Sequence, residues 1–133
     1  MTSKVKYLGA LRTESEHIQS GSKMITDAPV DNHGKGEAFS PTDTVANAVA
    51  TCMLTVMGIK AESIGIKIEG ATAEVTKTMA SNPRRISQIE VRILFPDTYP
   101  EKETKILENT GKTCPVLESL HPDIEKKISF RYS

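Results

Sequence analysis

Along the first third of the chain, apolar residues recur at every second position. In KVKYLGALRT, residues 4–13, Val5, Tyr7 and Leu11 alternate with polar neighbours around Gly9, the period of a half-buried strand. EHIQSGSKMITDAP reads as a hairpin that turns at Ser20 and Gly21 and returns through Met24 to Thr26. VDNHGKGEAF follows as a glycine-rich polar loop.

The period then lengthens to that of a helix. Ser40 suits the N-cap and Pro41 the first helical position, with Asp43 in the first turn near the positive end of the dipole. A helix is predicted from about Pro41 to Ala61. At about 100° per residue, Val45, Ala48, Val49, Cys52, Met53 and Val56 share one arc. Ala46, Ala50, Leu54 and Met57 carry the apolar surface nearly round the cylinder, and the polar sector of Thr44, Asn47, Thr51 and Thr55 holds no charge. Such a helix needs cover on more than one side. One small sheet covers one side only, so a second copy of the chain is the simplest further cover.

Two strands come next, IKIEGATAEVTKTMA and RISQIEVRILF, joined by the turn SNPR. The first is apolar at Ile66 and Ile68, then at Ala71, Ala73 and Val75; the second at Ile86, then at Ile89, Val91, Ile93 and Phe95. PEKETKILENTGKT reads as a polar amphipathic helix anchored by Ile106 and Leu107. CPVLESLHP reads as a short helix led by Pro115 and ended before Pro122, and KKISFRYS as a closing strand. No internal repeat appears. The order of strands, long helix, strands, short helices and strand predicts an α+β fold.

The length of 133 residues fits a single domain over 1–133. Seventeen basic residues balance seventeen acidic ones, which gives no support for a nucleic-acid partner. No basic amphipathic helix suggests a membrane surface. The uncharged run Thr44–Ile59, 16 residues, falls short of the roughly 20 that a membrane span needs. MTSKVKYLGA lacks the apolar centre of a signal peptide. A cytoplasmic protein is expected.

The chemistry rests on two cysteines. Cys114, in TCPV, stands at a helix start, where backbone N–H groups and the dipole favour a thiolate. Cys52 lies mid-helix, where burial alone disfavours ionisation, so reaction there calls for a nearby cation such as Arg12, Arg84 or Arg85. The plain alternative makes Cys52 a core residue and Cys114 a helix cap. Zinc is poorly supported, because no two of Cys52, Cys114, His17, His33 and His121 stand at ligand spacing. GKGE lacks the spacing of a phosphate-binding loop, and NPRR reads as a solvated hairpin tip.

FSPTDTVANAVATCM together with TCPVLESLH resembles the OsmC/Ohr family of thiol peroxidases. The likeness covers nearly the whole chain: a strand meander, a proline-led central helix with its cysteine eleven residues on, a strand pair and a CPV helix. The resemblance implies an intertwined homodimer whose long central helices lie buried between sheets of both chains. It implies that Cys52 attacks an organic hydroperoxide and becomes a sulfenic acid, and that Cys114 condenses with it. An external dithiol then reduces the disulfide, with no cofactor. An arginine of the N-terminal strands, best matched by Arg12, stabilises the thiolate and polarises the peroxide. The family's glutamate, just after the helix-leading proline, falls on Thr42, which cannot form a salt bridge. Asp43 and Glu37 are the nearest acids to hold Arg12. This departure points to a differently positioned arginine, to weak activity, or to another substrate. The rival reading is a small-ligand-binding or redox-sensing protein on the same dimeric fold.

Overall fold

The sequence pattern predicts one strand through KVKYLGALRT; the chain forms two. In the computed structural model, which describes residues 1–133, β1 (Ser3–Gly9) ends in a tight turn at Ala10 and Leu11. Both residues take positive φ, 53° and 63°, the backbone hand that suits a two-residue hairpin. β2 (Arg12–His17) returns antiparallel, so Arg12 opens the second strand rather than closing the first.

β2 and β3 (Lys23–Asp27) form the predicted second hairpin. It closes through the His17 N–H to the Ser22 carbonyl at 2.8 Å and the Gly21 N–H to the His17 carbonyl at 2.7 Å. Its register sets Arg12 opposite Asp27. The sheet order is β1-β2-β3, and Val5, Tyr7 and Met24 stand exposed on it. The polar loop that follows holds one 3-10 turn, Val30–Asn32. This sheet, the loop and the first residues of the long helix make a compact unit, Met1–Val45.

The long helix, α1 (Pro41–Ile64), starts where Ser40 predicts. The Ser40 hydroxyl accepts the Asp43 N–H at 3.1 Å, and the Asp43 carboxylate accepts the Ser40 N–H at 3.0 Å, a reciprocal capping box. With 24 residues, taking in Lys60 and Glu62, the helix outruns the uncharged stretch and is long and apolar enough to span a membrane. The stripe Ala46, Val49, Ala50, Met53, Met57 and Ala61 is nevertheless buried in the protein core. That stripe is rotated from the predicted arc, since Val45 is exposed and Ala48, Cys52 and Val56 are only half-buried.

The second unit, Ala46–Ser133, adds a sheet in the order β4-β5-β6. These strands are β4 (Thr72–Ala80), β5 (Arg85–Phe95) and β6 (Glu125–Tyr132). The predicted strand from Ile66 begins only at Thr72, because Gly70, inside the run, takes a positive φ of 93° and interrupts the extended backbone. β5 pairs antiparallel with β4 and parallel with β6. The parallel pair needs a crossover, which α2 (Glu101–Lys112) and α3 (Pro115–Ser119) provide. Ile89, Val91, Ile93 and Phe95 of the central strand share the core with Val49, Met53 and Met57 of α1, Leu107 of α2 and Leu117 of α3. A β-bulge explains the change of phase between Ile86 and Ile89: Thr78 faces Gln88 while Met79 faces Ile86, which leaves Ser87 over.

Candidate active site

In the second unit, α1 and the start of α3 bring the two thiols together. Cys114 is the N-cap of α3, where its Sγ accepts the Leu117 N–H at 3.5 Å and Pro115 follows at the first helical position. The residue is 1 % exposed. Cys52, half-buried on α1, packs against the same core, near enough to Cys114 to disfavour its ionisation. Both cysteines are free thiols.

The helix start was expected to favour a thiolate at Cys114, and the balance runs the other way. Burial pushes the Cys114 thiol up, and the neighbouring Cys52 pushes it further, while the N–H groups of Leu117 and Val116 pull it back only in part. A five-residue helix offers few aligned dipoles against the loss of hydration. Cys114 therefore holds its proton more tightly than an ordinary thiol.

In the first unit, Arg12 meets two acids. Its Nη2 lies 2.9 Å from Asp27 Oδ2 and its Nε 3.2 Å from Asp27 Oδ1, a two-pronged pair. The Glu37 carboxylate reaches the same Nη2 at 3.4 Å. Asp27 is 1 % exposed, whereas the Glu37 side chain is 62 % exposed. Asp27 Oδ2 also accepts the Glu37 N–H at 3.1 Å. The Arg12 hydrogen bond, helped by that N–H and by the charge of Lys35, holds the Asp27 carboxyl below the usual carboxylate range in spite of burial. The same contacts raise Arg12 above its ordinary value.

Of the acids expected to hold Arg12, Glu37 is thus in reach, and Asp43 caps α1. The acid that dominates, Asp27, escaped the sequence reading. Its signal was the hairpin register: a turn centred on Ser20 and Gly21 pairs Arg12 with Pro29, whereas the observed loop brings Asp27 opposite. Thr42 hydrogen-bonds the Ser40 hydroxyl at 3.2 Å. At the hairpin tip, Arg85 donates to the Ser81 and Pro83 carbonyls at 3.1 and 2.8 Å. No three metal-binding side chains converge.

A family model described as OsmC-like protein matches residues 34–129. Comparison with curated proteins gives no match. Among solved structures, a protein of Psychrobacter arcticus 273-4, named for an osmotic-stress-induced and detoxification response, is 55% identical with a TM-score of 0.95; the match covers 98% of this chain and 96% of that one. An organic hydroperoxide resistance protein of Legionella pneumophila superposes with a TM-score of 0.76 at 17% identity, over 98% and 97% of the two chains. One from Elizabethkingia anophelis gives 0.77 at 14%, over 100% and 97%. At these low identities, the last two show the shared fold alone.

Proposed function

This chain belongs to the OsmC-like protein family, and from that premise we propose that it reduces organic hydroperoxides with Cys52 and Cys114. The observation that carries the reading is that the two free thiols are neighbours: Cys52 packs against the core cluster that contains Cys114 and disfavours its ionisation. It gives a sulfenic acid at either sulfur an immediate partner before further oxidation.

Exposure and protonation divide the roles. Cys52 is the more accessible thiol, while Cys114 is buried and held in the protonated form, which is a poor nucleophile toward peroxide. The Cys52 thiolate attacks the terminal hydroxyl oxygen of the hydroperoxide and the O–O bond breaks. The attacked oxygen stays on Cys52 as a sulfenic acid, and the other leaves as an alkoxide that takes up the proton released by the Cys52 thiol and departs as the alcohol. The Cys114 sulfur then attacks the Cys52 sulfur; its proton and the sulfenic hydroxyl depart as water, and an S–S bond remains. An external dithiol returns both thiols and leaves as its own disulfide. Arg12 has the part of stabilising the thiolate and polarising the peroxide, as the family resemblance suggests. We assign the working form to a cytoplasmic homodimer, supported by apolar side chains left exposed in the single chain, among them Val5, Tyr7 and Ile59.

The test is thiol titration before and after one equivalent of an organic hydroperoxide. Loss of both thiols, restored by a dithiol, is the expected result. Two thiols remaining after exposure, in folded protein, would leave the ligand-binding reading in its place.

A further inference from the structure

We infer that Asp27 is the positioning residue for Arg12, in the role that the family's glutamate leaves open at Thr42. The inference rests on the reading of Arg12 given above. Its own basis is the geometry of a buried carboxylate.

A carboxylate that is 1 % exposed gives up its hydration, and such burial persists only when charge and hydrogen bonds replace it. Asp27 receives both replacements from the segments it joins. The Arg12 fork fills Oδ1 and Oδ2, at 3.2 and 2.9 Å, and the Glu37 N–H adds a third hydrogen bond at 3.1 Å. Two parallel contacts fix the plane of a guanidinium, which a single contact cannot do. The backbone makes the arrangement rigid. Arg12 and Asp27 are cross-strand partners in the β2–β3 register, and the Asp27 N–H donates to the Phe39 carbonyl at 3.0 Å. The Ala28 N–H donates to the Leu11 carbonyl at 3.1 Å, beside Arg12. Asp27 therefore sets the guanidinium plane and anchors both ends of the loop between β3 and α1.

Glu37 is the weaker holder. It touches one nitrogen at 3.4 Å from a side chain that solvent reaches, and exposed pairs of this kind contribute little. Thr42 offers a hydroxyl that the Ser40 hydroxyl engages.

The test combines a signal from Arg12 itself with the reactivity of Cys52. In the full chain labelled with 15N, the Arg12 Nε–H should give a resolved, slowly exchanging resonance. Asp27→Asn should abolish it, Glu37→Gln should preserve it, and Asp27→Glu should restore part of the protection. Asp27→Asn should slow hydroperoxide reduction about tenfold or more, the size of one lost charge-assisted contact, and alter the pH profile of Cys52 alkylation as Arg12→Ala does. Combined with Arg12→Ala, it should add no further loss. Should Asp27→Asn not fold, Arg12→Lys serves instead: it keeps the charge, loses the fork, and should reproduce the same slowing. A protected Nε–H in Asp27→Asn, or wild-type alkylation and turnover in that variant alongside slowed Arg12→Ala, overturns the inference. If Arg12→Ala is itself as reactive as wild type, the role given to Arg12 fails, and the resonance alone reports whether Asp27 holds the guanidinium.

Discussion

Cys52 packs against the core cluster that holds Cys114 although the two stand on different helices, one in the middle of α1 and the other at the cap of α3. Adjacent free thiols of unequal exposure predict unequal phenotypes. Cys52→Ser should abolish hydroperoxide consumption. Cys114→Ser should allow about one turnover and leave a trapped or overoxidised Cys52, visible by mass spectrometry as added oxygen. Undiminished turnover in both variants would refute the assignment and leave both cysteines as structural residues.

The upward displacement of Cys114 predicts a specific alkaline instability. In the unfolded chain the thiol ionises near its ordinary value of about 8.5, while in the folded chain it resists ionisation. The stability it contributes is complete below the unfolded value and is lost as pH rises toward the folded one. Tyr99 and Tyr132, also raised chiefly by burial, act in the same direction at higher pH. Cys114→Ala should therefore flatten the first part of the alkaline decline and leave the later part in place, as read from Tm against pH.

The acid limb has the opposite origin. Asp27 is held below the ordinary carboxylate range, so its contribution is present above the unfolded value of about 3.9 and is lost as pH falls toward the folded one. Wild type should lose stability through that window, and Asp27→Asn should lose less there while being less stable at neutral pH. Urea midpoints at a series of pH values would show it. Parallel acid limbs for the two proteins would mean that another carboxylate dominates.

Much of this arrangement was legible in the sequence, and what was missed has physical causes. The helix start at Pro41 was readable because Ser40 and Asp43 are local signals that act within one turn. The alternation of Ile89, Val91, Ile93 and Phe95 marked a strand with one buried face. The turn at Ala10 and Leu11 was hidden because neither residue is a usual turn former, and each spends positive φ where Gly or Asn is common. The pairing of Arg12 with Asp27 depended on the length of a hairpin loop, and two residues of difference moved a proline out of the partner position and an aspartate into it. The adjacency of Cys52 and Cys114 is a product of the α2–α3 crossover, which no local pattern encodes; the resemblance supplied it.

Close packing of α2 on α1 predicts a sharp cost at one glycine. A Cβ on Gly111 would lie 2.7 Å from Met57 Sδ and 3.4 Å from Met53 Cε, both fully buried side chains. Methionine is flexible and can yield in part, so Gly111→Ala should cost about 1–3 kcal/mol in a urea titration. A variant as stable as wild type would show that the two methionines repack freely.

Assembly is best tested away from the core. Val49 is fully buried within the chain's own core, so a charge there would prevent folding whether or not a second copy binds. Ile59 lies on the other side of the question. It is 65 % exposed on α1, and an aspartate in its place has full access to water in an isolated chain. Its effect on a monomer should stay within about 0.5 kcal/mol, as for other surface substitutions. In the proposed homodimer that side chain is covered, and an unpaired charge at a buried contact is costly. Wild type should sediment near twice 14.5 kDa at micromolar concentration, and Ile59→Asp should move the boundary toward the monomer. A folded wild-type monomer would remove the homodimer from the proposal. A dimer that Ile59→Asp leaves intact would instead place the contact elsewhere, with the exposed Val5, Tyr7 and Met24 of the first sheet as the next residues to charge.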